Sequence, residues 1–117
     1  MEDLNISINP VPDYPYTRIA HFEGDFDGRA KENLDTIEEF LATCKRGSTL
    51  ILDFSKLNFL NSYAVGHLIT WRNKLSNSEG RLLITGVNES VSAALDAVGG
   101  NILFEVFYDV EKALETL

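Results

Sequence analysis

A short apolar run, a polar loop and a helical repeat, in that order, constrain this chain more than anything else in it. Thr49-Leu50-Ile51-Leu52 has the form of a buried strand and is followed by Asp53. A loop carrying Leu57, Phe59 and Leu60 leads to Asn61-Ser62. From there Val65, Leu68, Ile69, Arg72 and Leu75 recur at spacings of three and four, which predicts a helix over residues 62–77. A buried strand that feeds a helix through a polar loop belongs to an α/β fold. The first N–H groups of such a helix are unpaired and its dipole end is positive, so polar chemistry collects there.

The rest of the chain supplies similar units. Leu4, Ile6 and Ile8 alternate with polar residues, as in a half-buried strand. Pro10, Pro12 and Pro15 interrupt it, and Tyr16 to Phe22 resumes extended structure, with Ile19, Ala20 and Phe22 inward. These two strands read as an antiparallel hairpin with a long loop. Glu23 to Gly28 reads as a turn, with Asp27 capping a helix whose stripe is Ala30, Leu34, Ile37, Phe40 and Leu41. Lys45-Arg46-Gly47 has the residues of a helix end, cations and then glycine. Arg81 to Thr85 is a further buried strand. Val91, Ala94, Leu95 and Val98 mark a helix stopped by Gly99-Gly100. Phe104 to Phe107 is a last strand, and Asp109 caps a final helix carrying Val110, Ala113, Leu114 and Leu117. The predicted order is ββαβαβαβα, a mixed and mainly parallel sheet with an N-terminal antiparallel hairpin and about four helices. At 117 residues, 1–117 reads as one domain.

Several function classes are set aside. The net charge of −8, with no cluster of Lys or Arg, argues against nucleic acid, whose phosphates need neutralising. An acidic surface suits a basic protein partner. Cys44 is the single cysteine and reads as a small core or boundary residue. His21 and His67 stand in separate elements without a metal-ligand spacing, and read as exposed or hydrogen-bonded side chains. MEDLNISINP lacks the apolar core of a signal peptide, and no run approaches the ~20 apolar residues of a membrane span. The expected setting is cytoplasmic. No dinucleotide fingerprint, P-loop or nucleophile elbow is present, so no enzyme and no cofactor is expected.

Asp25 and Asp27 have the form of a carboxylate pair, which turn and cap duty explains more simply. Asn61-Ser62-Tyr63 has two readings that chemistry alone leaves open. One is an N-cap; the other is a phosphate-regulated or partner-reading surface, where a phosphate would add a charge of about −2. Trp71 lies off the Val65/Leu68/Ile69 stripe, which predicts a boundary or surface position.

Five segments, in order along nearly the whole chain, resemble the STAS domain, the fold of anti-sigma-factor antagonists. Leu50-Ile51-Leu52-Asp53-Phe54-Ser55 is similar to that family's apolar strand ending in Asp-apolar-Ser. Asn61-Ser62-Tyr63-Ala64-Val65-Gly66 lies over its Asp-Ser-Ser/Thr-Gly-Leu-Gly signature. Gly24-Asp25-Phe26-Asp27, Leu83-Ile84-Thr85-Gly86-Val87 and Gly99-Gly100-Asn101-Ile102-Leu103-Phe104 resemble three further family segments. The resemblance implies a single-domain STAS-like α/β fold and a non-enzymatic module that binds an anti-sigma factor or another regulatory protein. The alternative it implies is a structural subunit of a larger assembly, such as a stress-signalling scaffold or a transporter complex. It implies a contact surface of Asn61, Ser62, Tyr63, Ala64 and Gly66, with Asp25, Asp27 and Val87 on neighbouring turns. In the family the third signature residue is a phosphorylated Ser or Thr. Here that position is Tyr63, the preceding acid is Asn61 and the first glycine is Ala64, which implies a binder without the usual phospho-switch. Ser62 is the alternative acceptor.

Overall fold

A computed structural model describes residues 2–29 and 32–117. Among the described residues five strands form one sheet in the order β1-β2-β3-β4-β5: Asn5–Val11, Tyr14–Phe26, Thr49–Leu60, Arg81–Thr85 and Glu105–Phe107. β1 and β2 are antiparallel and every other pairing is parallel. The helices are α1 (Asp35–Thr43), α2 (Ser62–Asn77), α3 (Glu89–Asp96), α4 (Gly100–Leu103) and α5 (Val110–Leu114). This is the predicted order with one short helix, α4, added before β5. Gly99, at φ +76°, separates α3 from α4, in keeping with the glycine stop expected at Gly99-Gly100.

The three central strands carry apolar side chains on both faces, as a sheet covered on both sides requires. Leu50, Leu52, Phe54, Ala20, Phe22 and Ile84 face α1 to α4. Ile51 and Leu83 face α5, with Ile19 and Phe107 packed beside them. Ile19 therefore points to the side opposite Ala20 and Phe22. α5 covers only part of its face. Toward β1 that face is polar and open, and His21 Nδ1 there bonds Asp53 Oδ2 at 2.8 Å. Burial raises the Asp53 carboxyl, but bonds from Ser55 and His21 outweigh it and hold the group below its ordinary value.

Several boundaries differ from expectation. The hairpin loop is short: only Pro12 and Asp13 lie between β1 and β2, with Asp13 at φ +70°. Pro10 and Pro15 are accommodated inside the strands, Pro10 on a strand at the sheet's edge where its missing N–H costs least. β2 runs on to Phe26, so Glu23 to Phe26 is strand and not turn. β3 runs on to Leu60, through residues that read as a loop. Its register against β2 slips by one residue between Asp53 and Lys56 and again between Leu57 and Phe59. Each slip inserts an extra residue and breaks the in–out alternation that identifies a strand. Beyond Asp53, β2 is the only strand neighbour of β3 among the described residues.

α1 starts at Asp35, after Leu34, without a side-chain cap. Asp27 is therefore not its cap, and Ala30 lies outside the described residues. α1 ends at Thr43 with no cation in its last turn. Lys45 and Arg46 belong to the turn that follows, where Gly47 adopts φ +82°.

Trp71 is the largest correction. It is 0% exposed, in the centre of the core, stacked on Phe26 at 6.0 Å. Its Nε1 donates to Glu38 Oε1 at 3.2 Å, which satisfies the one polar atom of the ring. The buried stripe of α2 is Ala64, Val65, Leu68, Trp71 and Leu75, while Ile69 and Arg72 sit at its margin.

Candidate functional site

The turn after β2 meets the carboxyl end of β3, where α2 starts, while the turn after β4 lies further back along β3, beside Ser55 and Leu57. Asn61 organises the junction. Its backbone is extended, as an N-cap requires, and its Oδ1 accepts from the Ala64 N–H at 3.0 Å. Its Nδ2 donates to Asp27 Oδ1 at 2.8 Å. One side chain thus starts the helix and fastens it to the turn after β2. Glu32 closes that turn, accepting from the N–H groups of Asp27 at 2.9 Å and Gly28 at 3.0 Å. His67 Nε2 donates to the Gly28 carbonyl at 3.2 Å, tying α2 to the same turn one helical turn further along.

Gly28 makes the close approach possible. It sits at φ +76°, and a Cβ there would lie 2.5 Å from the Tyr63 carbonyl carbon and nearer still to the Ala64 nitrogen. Ser62 and Tyr63 point outward, Tyr63 with 55% of its surface exposed. The Arg29 guanidinium lies over the Tyr63 ring, 4.5 Å from its centroid, and its Nε is 3.6 Å from Asp27 Oδ1. Asp27, Arg29 and Tyr63 thereby form a small acid–base–aromatic cluster on the surface.

The predicted site residues divide accordingly. Asn61, Ser62, Tyr63, Ala64 and Asp27 come together. Ala64 is buried and acts through its backbone. Gly66 is exposed on the next turn, where a Cβ would meet nothing within 4 Å. Asp25 turns away, and its Oδ2 accepts from the Glu2 N–H at 2.8 Å. Val87 is half-buried in the turn after β4. That turn is held to β3 by Gly86, which packs on the Ser55 backbone, and by Asn88, whose Nδ2 donates to the Leu57 carbonyl at 3.0 Å. Arg29, Glu32 and His67 were not anticipated. None belongs to a periodic pattern or a motif, and their roles come from chain segments folding onto one another.

Acid should loosen this junction. The Asn61 amide, ahead of the contributions from Arg29, holds the Asp27 carboxyl below its ordinary 3.8. A carboxyl depressed in the folded state contributes stability above its unfolded value and loses it as pH falls through the folded one. Melting temperature should therefore decline as pH drops below 3.8, and less steeply in Asn61→Ala than in the parent. Equal slopes in thermal melts would separate Asp27 from the acid loss.

Among the described residues no three His, Cys, Asp or Glu side chains are grouped to hold a metal ion. Likewise, no helix there is long and apolar enough to cross a membrane. What the turns present is a helix start with an exposed aromatic beside a fixed carboxylate. The chain belongs to the STAS domain family, whose model matches residues 11–113. STAS domains are non-catalytic protein-interaction modules, and this chain is one of them.

Solved structures share the fold. The phosphorylated form of the Bacillus cell fate determinant SpoIIAA is 18% identical, with 96% of this chain and 98% of that one covered, at a TM-score of 0.69. An anti-sigma-factor antagonist (STAS) domain protein from Planctomyces limnophilus is 12% identical, covers 97% of both chains and reaches a TM-score of 0.74. A sulfate transporter family protein from Wolinella succinogenes is 19% identical over 92% of this chain and 88% of that one, at a TM-score of 0.72. No curated protein matches the chain by sequence.

Proposed function

We propose that this module binds an anti-sigma factor, or a related kinase-type regulator, in cytoplasmic transcriptional or stress signalling, and that it does so without a Ser/Thr phospho-switch. The contact surface is the start of α2 with the turns after β2 and β4. One observation carries the reading: Asn61 caps α2 and bonds Asp27 at once, so Tyr63 stands on a surface already fixed in place. An acid at position 61 would face the Asp27 carboxylate without a donor between them. Asparagine removes that repulsion and with it a charge that could respond to phosphorylation.

Tyr63 then acts as an aromatic contact, held by Arg29. Tyr63→Glu puts a carboxylate beside Asp27 and should weaken binding to an anti-sigma kinase about tenfold or more, since like charges at an interface are costly. Calorimetric titration measures it, and unchanged affinity moves the contact elsewhere. Incubation with such a kinase and ATP should leave the mass unaltered. A stoichiometric phosphate on Ser62 overturns the constitutive reading.

The likeness to the Wolinella sulfate transporter family protein favours a second reading, a STAS subunit within a larger assembly. A pull-down that returns permease or scaffold subunits, and no anti-sigma factor, selects it.

A further inference from the structure

We propose that the open edge of β5 and the concavity beside it dock an extended segment of a partner protein in which apolar and basic residues alternate. Of the seven large hydrophobic side chains that stand exposed among the described residues, Val98, Ile102, Val106 and Tyr108 fall within one short stretch around this edge. Ile102 and Tyr108 are each 86% exposed, far beyond what a boundary position needs.

The groove is built from the helix-side face of β5. Val87, Leu95, Phe104 and Val106 line a cavity of about 260 Å³ with Asp96 at its rim. A second concavity, of about 560 Å³, shares Val87 and Val106 and ends at Tyr108 and Asp109. Its floor is apolar and its rim is acidic.

The strand edge supplies the backbone half of the site. Among the described residues β5 has β4 on one side and no strand on the other. The Phe107 carbonyl accepts from the Gly86 N–H at 3.4 Å, so Phe107 turns its polar groups inward. By the two-residue alternation of a strand, Val106 turns its N–H and C=O to the open edge. A strand laid there gains those hydrogen bonds and can place an apolar side chain against Val106.

Charge selects the occupant. The chain carries −8, and Asp96 and Asp109 flank the groove, while Glu105 turns to the other face of β5 and pairs with Arg81. A second copy would bring the same acids edge to edge, which opposes self-pairing. A segment with basic residues between its apolar anchors answers both the rim and the floor. The groove goes beyond the reading above: it shares Val87 with that surface, and Tyr63, which lines neither concavity, tells the two apart.

The test uses the isotope-labelled full chain and the synthetic peptide acetyl-Lys-Val-Lys-Val-Lys-Val-amide, followed by amide chemical shifts. Shifts should concentrate at Val87, Asp96 and Glu105 to Tyr108 and should shrink as salt is added. Val106→Lys should weaken the complex about tenfold or more, because a buried unpaired charge is costly. Asp96→Asn should weaken it less while melting like the parent, which keeps the test valid if the first variant folds poorly. Tyr63→Glu should bind the peptide as the parent does. Equal binding of the Glu-Val counterpart, or shifts confined to other acidic surfaces, overturns the proposal. So does a sedimentation result in which the chain alone is a dimer with the β5 amides protected.

Discussion

Trp71→Ala should lower the unfolding free energy by about 3–5 kcal/mol, the usual cost of emptying a buried aromatic site. Trp71 is fully buried, touches Phe22, Phe26 and His67, and fills the space between α2 and the sheet. Small domains hold about 5–15 kcal/mol in total, so the variant should retain its fold only marginally. The fall in melting temperature should be roughly 10–20 °C. Trp71→Phe should cost far less, because it keeps an aromatic ring in the core and leaves Glu38 at the surface, where water can solvate it. As the only tryptophan, Trp71 also reports on its own surroundings: emission should be that of a buried indole and shift to the red on unfolding. A loss below about 1 kcal/mol in the alanine variant would remove Trp71 from the core.

Gly28→Ala should cost about 2–4 kcal/mol, from two sources that a control can separate. The first is conformational: φ is +76°, where an L side chain is strained by about 1–2 kcal/mol. The second is contact, since the new methyl group would overlap the backbone of Tyr63 and Ala64. Gly47→Ala isolates the first. It has φ +82° with nothing within 4 Å of the added carbon, so it should lose only the conformational part. Denaturant titration of both variants measures the difference. Equal losses would mean that α2 gives way freely at its start. Unequal losses mean that the methyl displaces Tyr63, and partner affinity should then fall even in the fraction that remains folded.

Much of this fold was legible because burial on both sheet faces writes itself into the sequence as unbroken apolar runs. Leu50-Ile51-Leu52 and Leu82-Leu83-Ile84 are such runs, and each became a central strand. The helix starts at Asn61 and Asp109 were legible because each cap is a short polar residue before a periodic segment, and the start at Asn88 follows the same rule. All three accept from an N–H three residues on. The second half of β3 was not legible, because two register slips erase its alternation. Trp71 was misplaced because the stripe drawn through Val65, Leu68, Ile69, Arg72 and Leu75 leans toward Ile69 and Arg72, whereas the buried one runs through Ala64, Val65, Leu68, Trp71 and Leu75. A small residue at the head of that spacing hid it. At the site, Asn61 and Tyr63 could be found from a motif. Arg29, Glu32 and His67 could not, since their partners are brought near only by the folded turn.

The two-strand extension of β2 and β3 has a mechanical consequence. It ends where α2 begins, so a pull on a bound partner directed outward along the strands reaches the body of the molecule through that ribbon. Such a load acts along the strand axes and strains the ladder in shear, where the bonds share the force and do not open one at a time. The Asn88 side chain, bonded to the Leu57 carbonyl, pins the ribbon's flank partway along its length. A partner seated at the start of α2, as proposed, would thus load the sheet through this ribbon.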